Sequence, residues 1–217
     1  MEPWNSITPK IDSRIAAAFG RLSLALRGAA WKTATREGLT PTQSEILALL
    51  LARVEAIRLS TVAEQLGVTS ATASDAVTAL VAKGLITKTP AVDDRRALAI
   101  KLARAGKKIA KQVEQSNEFV LRALKIFSDS EREMLLTLLL RLIGEFQASG
   151  DLPALRMCLT CKYFEPHRHP NNDAPHHCHL VGQPLPVAFM RVDCSEHEET
   201  SVLEQQRNRA AFASKVL

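Results

Sequence analysis

The sequence predicts a mainly α-helical fold that carries a small antiparallel β wing and is followed by a small cysteine-rich module. Three observations predict it. Apolar residues recur every three or four positions through most of the first 150 residues, as helices require. After Gly84 this pattern switches to short extended segments. All four Cys and all six His lie between Cys158 and His197, with none before. This segregation puts a boundary near Gly150, Asp151, Leu152 and Pro153, where a Gly and a Pro also stop the helical pattern. The chain therefore divides into residues 1–150 and 151–217.

Hydrophobic residues make up 46% of the chain and charged residues 24%, as in a protein able to bury a core. The longest strongly apolar stretch, residues 134–143, is interrupted by Arg141 and falls short of the roughly 20 residues that span a bilayer. No membrane partner is expected. The first residues lack the charged start and apolar run of a signal peptide, so a cytoplasmic location is expected. Residues 1–150 hold 21 Lys and Arg against 15 Asp and Glu, whereas residues 151–217 hold 7 against 8. The basic excess belongs to the first part and suits a polyanionic partner.

In chain order, Ile11, Ile15, Phe19, Leu22, Leu26 and Ala30 form one face of a first helix, over residues 11 to about 35. Thr40 and Pro41 then read as the cap and first residue of a second helix running to about residue 54, with Ile46, Leu47, Leu50 and Leu51 inward. Residues 59–84 are the most diagnostic stretch. Ser60 or Thr61 can cap a short helix, and Gly67 permits a tight turn. Thr69 or Ser70 can cap the next helix, whose Val77, Leu80 and Val81 are expected inside.

Two short helices across such a turn form a helix-turn-helix, and the second is the candidate reader of a DNA major groove. The segments 85–89 and 97–102 flank a charged loop and read as a hairpin, completing a winged helix-turn-helix. Leu98, Ile100 and Leu102 alternate onto one face of its second strand. A long helical region follows Gly106, with Ile109, Val113, Phe119, Val120, Leu124 and Phe127 as expected inward positions. Ser128 opens a last helix whose leucines cover more than one face. That surplus, with the first helix, predicts a homodimer interface.

This arrangement resembles the MarR family of winged-helix regulators over roughly residues 10–148. The resemblance is carried by residues 39–47, 59–66 and 69–83, and by Asp93 to Leu102 with Gly106. The chain departs from the family at Ala103, where the family often has Thr, and this weakens a helix cap. The resemblance implies a homodimer whose recognition helices enter successive major grooves of a near-palindromic double-stranded DNA operator. Half-sites would lie about one helical turn apart, roughly 34 to 36 Å.

The candidate DNA-binding residues are Thr69, Ser70, Thr72 and Ser74 in the first turns of the recognition helix, Thr78 further along, Lys83, Lys88, Arg95 and Arg96. The hydroxyls suit phosphates or base edges, the lysines suit phosphates, and Arg at the wing suits the minor groove. Asp94 is expected to structure the wing by pairing with Arg96, leaving Arg95 the freer DNA role. No Arg, Asn or Gln stands between Thr69 and Lys83, so bidentate base readout from this helix is missing. Specificity should lean on the wing, the hydroxyls and DNA shape.

The tail places Cys158, Cys161, Cys178 and Cys194 in a C-x2-C-x16-C-x15-C pattern. In a cytosolic chain four such thiols point to metal rather than disulfides, and thiolates select zinc or iron–sulfur centres. A zinc ribbon has two close Cys pairs, and here the second pair is missing. The spacing resembles that of a high-potential iron–sulfur protein, which puts an iron–sulfur cluster slightly ahead of structural zinc; metal-free, redox-reactive thiols are the third reading. A domain of about 45 residues needs such a staple. His177, His179 and His197 are alternative ligands or neighbours of ligands, whereas His167 and His169 read as loop residues.

The leading expectation is a transcription regulator, a repressor or activator, whose DNA affinity answers to the cysteine tail or to a small-molecule effector between its helices. A competing reading is an enzyme or electron carrier with its cofactor on the four cysteines and the winged helix as a dimer scaffold. The sequence shows no Gly-rich phosphate loop, no nucleophile motif and no His before position 167, so no enzyme is expected. In a third reading, zinc merely staples the tail.

Overall fold

The computed structural model describes residues 8–53, 55–91, 98–115, 118–170 and 172–214. Helix α1 (Ile11–Arg36) leads into α2 (Pro41–Leu51). At the start of α2 the side chain of Thr40 accepts the Gln43 N–H, and that of Gln43 accepts the Thr40 N–H, forming a capping box. Helix α2 ends at Leu51, earlier than expected; Val54 itself lies outside the described residues. Strand β1 (Ile57–Arg58), α3 (Leu59–Leu66) and α4 (Ser70–Ala82) follow. Gly67 closes α3 at φ 61°, a left-handed conformation open to glycine without steric penalty, and so sets the turn into α4.

Strands β2 (Ile86–Pro90) and β3 (Leu98–Leu102) pair antiparallel with Ile86 opposite Leu102, and β1 pairs along the other edge of β3. The central position of β3 explains why Ala99, Ile100 and Leu102 are all buried while Leu98, at the strand's start, is exposed. Strict alternation predicted otherwise. Helix α5 (Arg104–Glu114) starts at Ala103 without a side-chain cap, as its lack of a hydroxyl requires. Gly106 lies against the chain entering β2 so closely that a Cβ there would stand 1.8 Å from the Leu85 carbonyl oxygen.

Helices α6 (Glu118–Leu124) and α7 (Asp129–Ser149) complete the first part. The winged-helix core is built from Ile46, Leu47 and Leu50 of α2, Val62 of α3, Val77 and Leu80 of α4, and Ile100 of β3. Val81 is exposed rather than inward, and Phe119, Val120 and Leu124 are only half-buried. In α1, Ala34 is buried, whereas Ile11, Ile15, Phe19, Leu22 and Leu26 are exposed.

The C-terminal module holds a three-stranded antiparallel sheet, β4 (Phe164–Glu165), β5 (His176–Cys178) and β6 (Gln183–Leu185), with β5 central. It ends in α8 (Val202–Ala213). Met157, Leu159, Phe164, Met190 and Phe212 form its core together with Leu140 of α7, against which Leu136 and Ile143 also pack. Part of the leucine surplus of α7 is thus absorbed by the chain's own tail. Among the described residues no helix is long and apolar enough to cross a membrane.

Candidate functional site

Helix α4 buries Ala73, Ala76, Val77 and Leu80 and turns its hydroxyls outward. Ser70, Ser74 and Thr78 stand four residues apart on one face, with Ser70, Thr72 and Thr78 exposed and Ser74 half-buried. Thr69 caps the helix: its Oγ1 accepts the Thr72 N–H at 3.1 Å and lies 2.8 Å from the Thr72 hydroxyl. That hydroxyl pair holds the first turn in shape.

The Lys88 ammonium of β2 donates to Thr78 Oγ1 at 3.1 Å, which brings the wing strand beside the hydroxyl face. Lys83 has a different setting from the phosphate contact expected of it. Its Nζ donates to the Gly38 carbonyl at 2.6 Å and to Gln43 Oε1 at 2.8 Å, fastening the end of α4 to the start of α2. Asp75, which sequence reasoning passed over, is exposed on the same helix and offers an acceptor of the kind that reads a cytosine amino group. The wing-tip residues Asp94, Arg95 and Arg96 lie outside the described residues.

All four cysteines are free and half-buried. The turn Cys158–Thr160 and the chain at Arg191 are tied reciprocally: the Cys158 N–H donates to the Arg191 carbonyl at 3.1 Å, and the Arg191 N–H donates to Cys158 Sγ at 3.3 Å. The Arg191 guanidinium donates to Cys194 Sγ at 3.6 Å. Cys178 closes β5 opposite Phe164 of β4. Burial pushes the Cys158 thiol up to about 11, against the help of the Arg191 N–H, and the thiolate charges of Cys161, Cys194 and Cys178 raise it further. No group of three or more His, Cys, Asp or Glu side chains among the described residues is arranged to hold a single metal ion.

The histidines have other tasks. His176, between the rings of Phe164 and Phe212, is fully buried, and its Nδ1 accepts the His167 N–H at 3.2 Å. Burial, reinforced by the charge of His167, pulls it down to about 4, so it packs as a neutral ring. Of the alternative ligands, His177 lies 3.0 Å from the His169 ring nitrogen, His179 lies 2.8 Å from the Glu165 carboxylate, and His197 lies 3.0 Å from the Thr160 hydroxyl.

A second feature had no local signal in the sequence. Asp193, the residue before Cys194, receives both carboxylate contacts from Arg53 Nη1 at the end of α2, at 3.2 and 3.0 Å. Arg156 Nε donates to the same carboxylate at 2.7 Å, and Arg156 Nη2 donates to the Ala52 carbonyl at 3.0 Å. Arg53 also donates from Nη2 to Gln65 Oε1 of α3 at 2.6 Å. Burial raises the Asp193 carboxyl, but the hydrogen bonds and charges of the two arginines outweigh it and hold the group below the usual carboxylate range. The Cys194 N–H donates to the Arg156 carbonyl at 2.9 Å, closing the link between the cysteine loop and the clamp.

Residues 37–97 match the model of the MarR family. The fold is similar to that of S. aureus MepR in its DNA-binding conformation, at 21% identity and TM-score 0.55, covering 61% of this chain and 98% of that one. It is also similar to the S. aureus MepR–DNA complex, at 21% identity and TM-score 0.53, covering 60% and 96%. A MarR-family transcriptional regulator from Rhodococcus sp. RHA1 matches at 18% identity and TM-score 0.50, covering 59% and 92%. No curated protein matches the chain in sequence. Over residues 37–97 the chain matches the MarR family, and its winged-helix fold agrees with that match.

Proposed function

We propose that the chain is a DNA-binding transcription regulator, a repressor, that grips a near-palindromic operator as a homodimer. The observation that carries this reading is the exposed hydroxyl face of α4, capped by Thr69 and flanked by Lys88 of the wing strand. Small hydroxyls and free backbone N–H groups at a helix start meet phosphates and base edges, while the basic excess of residues 1–150 supplies the salt-dependent attraction to DNA. A protein of similar fold, S. aureus MepR, is solved as a DNA complex, which supports a DNA partner.

Dimerisation rests on α1, whose Ile15, Phe19, Leu22 and Leu26 form an exposed apolar row, and on the exposed Leu121 of α6, Ile126 before α7 and Met134 within it. Such a row stays in solution when covered by a second copy. A cleft of about 290 Å³ between α1, α2 and α5, bordered by Ser44, Glu45, Leu51 and Val113, is the place for a small-molecule effector. DNA affinity also answers to the four cysteines as a metal site, iron–sulfur or zinc.

The test enriches DNA duplexes of about 30 bp, enough for two half-sites, from a random pool and titrates the best one. We expect a two-fold-symmetric consensus and a binding constant that falls steeply with salt. Ser74→Glu, which puts a carboxylate on the reading face, should weaken binding about tenfold or more without unfolding the chain. No enrichment by the folded protein would refute the reading.

A further inference from the structure

Asp193 is one residue from Cys194 in sequence, and its carboxylate is gripped by Arg53, which in turn grips Gln65 of the helix-turn-helix. We propose that Cys158, Cys161, Cys178 and Cys194 hold one metal–thiolate centre, an iron–sulfur cluster, and that the Arg53–Asp193–Arg156 clamp transmits its occupancy to α3 and α4. The proposal rests on the DNA-binding reading for its consequence and on the thiol site for its cause.

The donor set is all sulfur. The four thiols come from three separate stretches of chain, and the histidines near them are engaged with Thr160, Glu165 or one another. Cys158 and Cys161 pack against the apolar core of Met157, Leu159, Phe164, Met190 and Phe212, which keeps water from one side. Arg191 brings a backbone N–H to one sulfur and a guanidinium to another, and such donors stabilise thiolate charge. A single zinc needs its sulfurs at ~2.3 Å from one point. Arg191 touches the sulfurs of both Cys158 and Cys194, and Cys178 stands opposite Phe164, whose N–H is held by the Cys161 carbonyl, so the four residues border one region; they are not gathered around one ion, and a cluster, which is wider than an ion, suits them better.

The route to the DNA face is short. Cys194 fixes the loop that carries Asp193, and its own N–H is held by the Arg156 carbonyl. Arg53 has its side chain only 8% exposed, so its charge depends on the carboxylate of Asp193, which is itself 38% exposed. Beside the clamp, a polar cleft of about 430 Å³ lined in part by Glu64, Gln65, Gln147 and His197 separates α3 from the module. The clamp therefore bridges two bodies that are not packed together across that cleft. When the centre is lost, the 194 loop loosens, Asp193 releases Arg53, and Gln65 loses the donor that positions α3.

The experiment uses the full chain purified without oxygen. Iron and acid-labile sulfide with visible absorption support the cluster. One zinc per chain overturns the cluster assignment, and a metal-free protein overturns the site. Amide hydrogen exchange over residues 59–66, before and after metal removal, reads the clamp without any DNA. Faster exchange in the stripped wild type, absent in Asp193→Asn and Arg53→Gln, supports transmission; equal exchange in both states overturns it. On the enriched duplex, the wild type should change affinity about tenfold between the loaded and stripped states. Asp193→Asn should keep its metal and lose that difference. A variant that keeps both metal and difference overturns the clamp. Failure to bind any duplex refutes the DNA reading alone, since metal analysis and exchange still decide the inference.

Discussion

Among the described residues, fourteen buried apolar side chains from α1 to α5 form the continuous core of the winged helix, whereas the C-terminal core gathers six, one of them, Leu140, supplied by α7. The first region is held by burial. The second adds a fully buried imidazole, an ionic clamp and four thiols to a core too small to stand alone. Each region should therefore fail in its own way: shape changes should hurt the winged helix, and loss of a single anchor should hurt the module.

The largest effect is expected from Phe212→Ala. Phe212 is 1% exposed and meets both Phe164 and His176, so its removal should cost the module about 4 kcal/mol. Hydrogen exchange should accelerate from residue 155 onward while residues 41–102 keep their protection. Uniform acceleration along the chain would break the comparison and make the two cores one cooperative unit.

Gly106→Ala comes next. Its Cβ would collide with a backbone carbonyl, so the wing base must move, at about 3 kcal/mol in denaturant unfolding. Gly144→Ala is its control in α7, where the added Cβ meets the flexible Arg209 side chain at 3.2 Å and should cost less than about 1 kcal/mol.

The smallest effect is Ser128→Ala, which removes the capping box of α7, the helix that joins the two regions, for about 1 kcal/mol. The backbone hydrogen bond from Ser128, and then its hydroxyl, hold Glu131 below the usual carboxylate range. A group lowered on folding stabilises above its unfolded value and loses that contribution as pH falls. The cap should therefore weaken below about pH 4, and the melting difference between wild type and Ser128→Ala should narrow there without closing, because the Ser128 hydroxyl still accepts the Glu131 N–H.

The winged helix was legible because its signals are local: Thr40 and Pro41, Gly67, Thr69, and the change of period after Gly84. Strand β1 escaped notice because two residues carry no periodicity and owe their strand to β3. Lys83 reads as a surface lysine in sequence, and only the fold shows that it meets Gly38 and Gln43. The cysteine pattern was visible, but the Arg53–Asp193 contact joins residues 140 positions apart and leaves no mark on either neighbourhood. Nothing in the sequence singles out His176; its burial follows from the ring pair Phe164 and Phe212, which come together only when α8 returns to the sheet.

The Lys83 contacts carry a geometric consequence. They pin the last turn of α4, while the other end of the helix is joined to α3 through the turn at Gly67. A helix of 13 residues fixed at one end is a lever roughly 20 Å long. A tilt of about 10° at the pinned end carries Thr69 and Ser70 through roughly 3 Å, as far as a whole hydrogen-bond length. Small tilts of α4 about its pinned end are thereby magnified at Thr69 and Ser70, the turn proposed to meet DNA first, and the thirteen-residue length of α4 sets the gain.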